Sequence, residues 1–399
     1  MPGARGWSLA AASLLLGGAG VAFAVPELVV VALGGLALVA AATGYVRLAR
    51  PRMEASRTLR PPRLHAGGAV GVELAVANTG GRTSPLLRAV DEFDHGRRRA
   101  RFQVAPLAPG ETIRASYDLP VERRGIYQVG PLDLRVDDPF GLASRSVGQA
   151  GATALVVYPR IEVVDPLLPG AADRRQEQAV ASPALVGGDG DLYALREYQS
   201  GDDLRRVHWR STAKRDELMI RHPETPGQGA ATILLDLRQA AHSDETLEAA
   251  VSAAASIAHA AWRRRWPVRL VTTAGTDSGL ASGRPHLEAL LETLAAAGAH
   301  DSPGAGPLIA PPPRAGGRGG VLAVVTTTSG SPAGLRSLGG GWRSGYAPVL
   351  VVVEGSDGEA GPPRGVAGAV VVRVGPGRPL AAAWAAAMAA GRARRAVGG

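Results

Sequence analysis

Two long uncharged segments open this chain, residues 7–25 (WSLAAASLLLGGAGVAFAV) and 28–46 (LVVVALGGLALVAAATGYV), with only Pro26 and Glu27 between them. A helix rises about 1.5 Å per residue, so each segment has about the length of a bilayer hydrocarbon core of roughly 30 Å. With so short a connection, residues 1–50 read as a transmembrane helical hairpin. A cleaved signal peptide would account for the first segment and leave the second as a span anyway; a buried helical pair is the other reading. Arg5 precedes the pair, and Arg47, Arg50, Arg52, Arg57, Arg60 and Arg63 follow it. By the positive-inside rule this charge places both termini and the soluble domains in the cytoplasm, so a two-span protein of the bacterial inner membrane is expected. The arginine run reads as a stop-transfer flank rather than a lipid-recognition motif.

The remaining residues of the 399 suffice for two or three domains, each with its own core. Absence of cysteine removes disulfides and thiolate metal ligands. The formal charge of +9 comes almost wholly from arginine, Lys214 being the only lysine. With abundant Ala, Gly and Pro, that looks like coding bias, and aromatics for base stacking are few. Nucleic acid is therefore not the expected partner.

From residue 51 to 164 the pattern is short alternating runs, among them AVGVELAVANTG and GIYQVGPLDLRVDDPFGL, bounded by Gly, Pro and Asn turns. This predicts a β-sandwich-like domain, with NTGG at 78–81 as a turn and His65 and His95 in exposed loops. Residues 165–190 read as a linker. After 229 near-continuous apolar strands alternate with helices: AATILLDL, an Ala-rich stretch from Asp244 to Arg265, PVRLVTTAG, HLEALLETLAAAG, GVLAVVTTT, APVLVVVEG, AVVVRVG and a final helix near 379–392. Such a rhythm predicts a parallel sheet covered on both faces, over residues 230–399.

Ligands of open parallel sheets sit at the carboxyl ends of the strands, and the first such end is Asp236. The domain resembles the von Willebrand factor A-like fold, whose first strand ends in Asp-x-Ser-x-Ser and holds a divalent cation. This chain reads Asp236, Leu237, Arg238, Gln239, Ala240. Both hydroxyl positions are lost, and the guanidinium of Arg238 repels a metal and is placed to pair with Asp236. The site is thus degenerate, and no metal or cofactor is expected.

The segment 191–229 holds GDLYALREYQSGDDLRRVHWRSTAKRDELMIRHPE. Arg196, Glu197, Tyr198, Gly201, Asp202, Asp203, Arg206, Trp209 and Ala213 resemble the signature of the domain of unknown function 58 family, with Lys214 where that family usually has arginine. RRGIYQVGPLDLRVDDPFGL and VVYPR are also similar to that family. The resemblance implies a membrane anchor and an A-like domain, without established chemistry, and an association with MoxR-type AAA+ ATPases and other membrane proteins.

Read from the residues, Asp202 suits an N-cap and Asp203 a first helical turn, with Leu204, Val207 and His208 on one face and Trp209 as an anchor. The arginines suffice to neutralise the carboxylates as an ion-paired brace, or the segment is a surface offered to a partner. Catalysis fits less well, since carboxylates crowded by arginine have depressed pKa values whereas a general acid needs a raised one. His208 as a general base is weighed against a packed structural histidine. The chain lacks Gly-Lys-Ser/Thr, HExxH and Gly-x-Ser-x-Gly. The expected protein is a non-catalytic membrane-anchored scaffold acting by protein contacts. The alternatives are a metal-dependent hydrolase using the Gly-Asp-Asp/His signature or a rebuilt cation site near Asp236, and an arginine-rich nucleic-acid binder.

Overall fold

The computed structural model describes residues 2–94, 96–165, 167, 193–197, 219–223, 229–300, 320–327, 347–355 and 369–397. The chain divides into two compact units, Met1–Tyr158 and Pro159–Gly399.

The first unit begins with helices α1 (Ala4–Ala22) and α2 (Pro26–Leu48). Proline suits the first position of α2, where its missing N–H has no partner to lose. The two helices run antiparallel and meet through small residues: Gly17 against Ala32, Gly20 against Leu28 and Val29, Gly35 against Ser13. A Cβ on Gly35 would stand 2.2 Å from the Ser13 hydroxyl, so this crossing needs glycine. Among the described helices, Pro26–Leu48 alone is long and apolar enough to cross a bilayer. The sequence pattern led us to expect two such helices. Helix α1 misses the mark because it takes in Arg5 together with Ser8, Ser13 and several glycines.

Nine strands follow: β1 (Met53–Arg60), β2 (Arg63–His65), β3 (Gly68–Asn78), β4 (Leu87–Phe93), β5 (Arg98–Val104), β6 (Thr112–Val121), β7 (Gly125–Asp137), β8 (Ser144–Ala150) and β9 (Thr153–Tyr158). They form a sheet of order β1-β3-β6 and another of order β2-β9-β7-β4-β5, with β8 also on β7. All pairs are antiparallel except β2 with β9. Alternation decides which side chains go inward: Val70, Val72, Leu74 and Val76 of β3 and Leu87, Ala89 and Phe93 of β4 are buried in one core. His65 ends β2 rather than lying in a loop, its ring 5.5 Å from that of Tyr158; His95 lies outside the described residues.

One inward position of β4 is charged. Asp91 is buried, and Arg57 of β1 answers it, donating Nε at 3.1 Å to one carboxylate oxygen and Nη2 to the other. Nη1 of Arg57 also donates to the carbonyls of Val129 and Gly151, each at 2.8 Å, and Tyr117 adds its hydroxyl to Asp91 at 2.8 Å. Gly130, at φ +111°, lets the guanidinium pass: a Cβ there would lie 2.4 Å from Nη1. Arg57 was expected in the charged flank of the membrane segment. Its side chain is 1% exposed, so it belongs to the core instead, and Arg60 and Arg63 fall in strands β1 and β2. Arg47, Arg50 and Arg52 remain near the end of α2.

In the second unit, β12 (Ala230–Leu235), β13 (Val268–Thr272), β14 (Gly320–Thr327), β15 (Ala347–Val353) and β16 (Val370–Val374) make a parallel sheet of order β13-β12-β14-β15-β16. Residues 277–281 run antiparallel along the outer edge of β13, bridging Val271 to Asp277 and Val268 to Ala281. Helices α3 (Asp244–Arg263), α4 (Arg284–Ala296) and α5 (Leu380–Val397) accompany the sheet. Helix α3 starts in a capping box: Ser243 Oγ accepts from Thr246 N at 3.3 Å, and Ser243 N donates to Thr246 Oγ1 at 2.9 Å. Its alanines permit close packing, and Ala250, Ala253, Ala254 and Ala258 are buried. Ahead of the sheet, Glu162 lies across two helices, its N–H donating to Ser256 Oγ at 3.0 Å and its carboxylate accepting Ala381 N at 2.9 Å. Strands β10 (Tyr193–Glu197) and β11 (Met219–Pro223) pair antiparallel, with Glu197 opposite Met219.

Candidate functional site

The order of the parallel sheet reverses at β12, which has β13 on one side and β14 on the other. The carboxyl ends of β12 and β14 therefore flank the crevice in which open sheets of this kind bind ligands. Asp236 follows directly on β12, and Thr326 and Thr327 close β14. All three are buried.

The carboxylate of Asp236 has no hydrogen-bonding capacity left over. Oδ1 accepts from Arg238 Nε at 2.8 Å and Arg238 N at 3.2 Å; Oδ2 accepts from Arg238 Nη2 at 2.7 Å and Thr326 Oγ1 at 2.8 Å. Burial alone would raise the pKa of this carboxyl, but the bonds from Arg238 and Thr326 outweigh it and hold the group below its ordinary range. The Asp236 bond in turn raises that of Arg238, so both partners stay charged.

The loop that carries Arg238 is fixed from several sides. Leu237 N donates to Thr273 Oγ1 at 2.8 Å, just beyond β13, and Leu237 O accepts from His300 N at 3.0 Å. Thr327 Oγ1 donates to the carbonyl of Ala241, which ends a short 3-10 turn over Gln239–Ala241. His242 comes next, between this turn and the cap of α3. Both its ring nitrogens are buried without a hydrogen-bond partner. Burial lowers its pKa, an effect that the nearby Asp236 charge only partly offsets, so the ring is held neutral. Among the described residues, no three His, Asp or Glu side chains converge as a metal-binding group does.

Of the residues singled out from the sequence, Asp236 and Arg238 are brought together. Arg196 and Glu197 lie in β10, whose backbone pairs with β11. Tyr198, Gly201, Asp202, Asp203, Arg206, His208, Trp209, Ala213 and Lys214 lie outside the described residues, as does nearly all of the 165–190 linker. Sequence reasoning passed over Thr326 and His242. Thr326 had a signal, since it closes an apolar strand as Asp236 does. His242 had a weaker one, its place just before the Ser243 cap.

Residues 194–310 match the model of a family described as protein of unknown function DUF58. The chain is also 25% identical over 240 residues to the uncharacterized protein YeaD of Bacillus subtilis (strain 168), a match covering 57% of this chain and 55% of the relative. The chain thus spans about half the length of that curated relative. Among solved structures, the CARDB domain of the PF1109 protein of Pyrococcus furiosus is similar at 17% identity and a TM-score of 0.22, over 27% of this chain and 94% of that domain. The alkylpurine DNA glycosylase AlkC of Pseudomonas fluorescens is similar at 9% identity and a TM-score of 0.20, over 28% of this chain and 35% of that one. Likenesses at these TM-scores decide nothing about this chain. The family match takes in Asp236 and Arg238 and ends before the strand that carries Thr326, and over residues 194–310 the chain is similar to the DUF58 family.

Proposed function

We propose that the protein is a membrane-anchored scaffold facing the cytosol, which works by protein contacts and performs no reaction of its own. The observation that carries this reading is the pairing of Asp236, at the carboxyl end of β12, with Arg238 and Thr326. Among the described residues, the Asp236 carboxylate is saturated by Arg238 and Thr326, and the buried His242 ring is held neutral, which leaves neither group poised to exchange protons. A rigid, charge-neutral strand end suits a frame better than an active site.

Anchoring is supported by the surface of the helical pair, where Leu14, Leu15, Val21, Phe23, Val30, Val31 and Leu33 are all exposed. We take both helices to cross the bilayer, because a partner without charge from Trp7 to Ala22 and packed through glycines has nowhere else to place its outer face. The A-like reading of the second unit is supported by the antiparallel edge at 277–281, which makes the sheet mixed at that one margin. The partner we propose is a MoxR-type AAA+ ATPase. Without a Gly-Lys-Ser/Thr loop of its own, the chain takes any nucleotide energy from that partner. The surface offered is the 191–229 signature, in which Glu197 of β10 and Met219 of β11 stand opposite one another.

Affinity purification of the full chain from membranes tests this reading. An AAA+ ATPase should co-purify, in an amount that changes with ATP. Asp203→Asn should weaken that capture without abolishing any turnover. An Asp203→Asn protein that folds, captures its partner and has lost a measurable reaction would sink the scaffold and make the signature an active site. A reporter that functions only outside the cytoplasm, fused after Gly399, should be silent.

A further inference from the structure

The first turn of α1 is fastened to the turn between β7 and β8. Gly3 N donates to Leu142 O at 2.7 Å, and Pro2 bridges Ala143 in antiparallel fashion. Gly6 approaches so closely that a Cβ there would lie 2.2 Å from Leu142 O. The β7–β8 turn is itself internally bonded. Buried Asp138 accepts Phe140 N at 2.9 Å and Ala143 N at 2.5 Å through its carboxylate, its carbonyl accepts Gly141 N at 3.0 Å, and Gly141 supplies a φ of +67°. All this order presents an apolar ring outward: Phe140 is 64% exposed. Trp7, next to Gly6, is 65% exposed.

The height of this turn follows from the helix register. Gly35 meets Ser13 and Gly20 meets Val29, so the first turn of α1 is level with the stretch of α2 around Thr43 and Val46, both of which are buried. From Trp7 to the end of α1 at Ala22 there is no charge. At about 1.5 Å per residue that stretch rises about 24 Å, less than a hydrocarbon core of roughly 30 Å. A pair of this length crosses a bilayer only if the level of Gly6 is already at its boundary.

We infer that the β7–β8 turn lies in the headgroup region of the cytoplasmic leaflet, with Phe140 and Trp7 as interfacial anchors and Arg5, Arg47 and Arg50 among the lipid phosphates. All three arginines are exposed. Aromatic rings at headgroup depth, flanked by cations facing anionic lipid, are what such an interface stabilises. The inference rests on the membrane anchoring proposed above, and it adds that the β-domain sits flush on the bilayer rather than hanging below it.

The chain has no cysteine, so single introduced thiols report without background. Full-length protein carrying Phe140→Cys, Leu15→Cys or Ser116→Cys, each with a nitroxide, is placed in vesicles of phosphatidylethanolamine and phosphatidylglycerol. Power-saturation spectroscopy then compares collisions with oxygen and with a water-soluble nickel complex. An unchanged thermal melt in detergent verifies the fold of each labelled protein. Leu15 should read as bilayer interior and Ser116, on the exposed face of β6, as water; position 140 should show several-fold less nickel access than 116, at shallow depth. A label at 140 as water-exposed as that at 116, with Leu15 in lipid, overturns the inference and leaves the anchor standing. A label at Leu15 that reads as water overturns both.

Discussion

The guanidinium of Arg238 lies against the carboxylate of Asp236 in a two-pronged contact, Nε to Oδ1 at 2.8 Å and Nη2 to Oδ2 at 2.7 Å, with the Asp236 side chain wholly buried. The arginine sets a positive charge directly against the carboxylate at this strand end. Removing one partner of a buried pair leaves the other charged and unpaired, so Arg238→Ala should cost about 3–5 kcal/mol, read from denaturant melts. Asp236→Asn in the same protein should return part of that loss, because no charge is then stranded. Chelator should leave the melting temperature of the parent protein unchanged; a fall reversed by magnesium would reveal cation ligands beyond these.

Acid should destabilise the second unit in two stages. The folded pKa of His242 is lowered from 6.5 by burial, so the unfolded chain binds the extra proton first. Stability contributed by the neutral ring is complete above about pH 6.5 and declines as pH falls below it towards the folded value. Asp236, also lowered, contributes stability above its ordinary value of 3.8 that is lost as pH falls through its folded one. His242→Leu should flatten the first stage and leave the second. An unchanged slope between pH 6.5 and 5 in that variant would assign the effect to other groups.

Arg57 should behave as a core residue. Arg57→Met strands Asp91 and should cost about 3–5 kcal/mol, and Arg57→Lys should recover little, since one ammonium cannot reach Asp91 and the Val129 and Gly151 carbonyls together. Tyr117→Phe should cost about 1.5–3 kcal/mol by removing its bond to the same carboxylate. Burial, followed by that bond, pushes the Tyr117 phenol well above its usual range, so it remains a donor at any ordinary alkaline pH.

Gly229→Ala should destabilise the second unit by about 1–3 kcal/mol, because the new Cβ would lie 2.6 Å from the buried ring of Trp266. Gly298→Ala meets open space and should leave the melting temperature where it was. Equal melts for the two variants would mean that the Trp266 ring moves aside freely.

By itself the sequence determined what is local and periodic. The apolar run of α2, the alternation that buries Val70, Val72, Leu74 and Val76 together, and the continuous apolar runs of a sheet covered on both faces were legible because each is written within a few neighbouring residues. The pairing of Asp236 with Arg238 was legible for the same reason, since the partners are two residues apart. Tertiary structure decided what depends on distant partners. Arg57 looked like one more membrane-flanking arginine until the fold set Asp91, 34 residues on, opposite it. Thr326 reaches Asp236 across 90 residues, only because β14 is laid beside β12. Gly6 lies against Leu142 because α1 starts at the turn that ends β7. A charge of either kind looks alike along the chain, and whether it is solvated or buried is settled only when packing supplies, or fails to supply, its counter-charge.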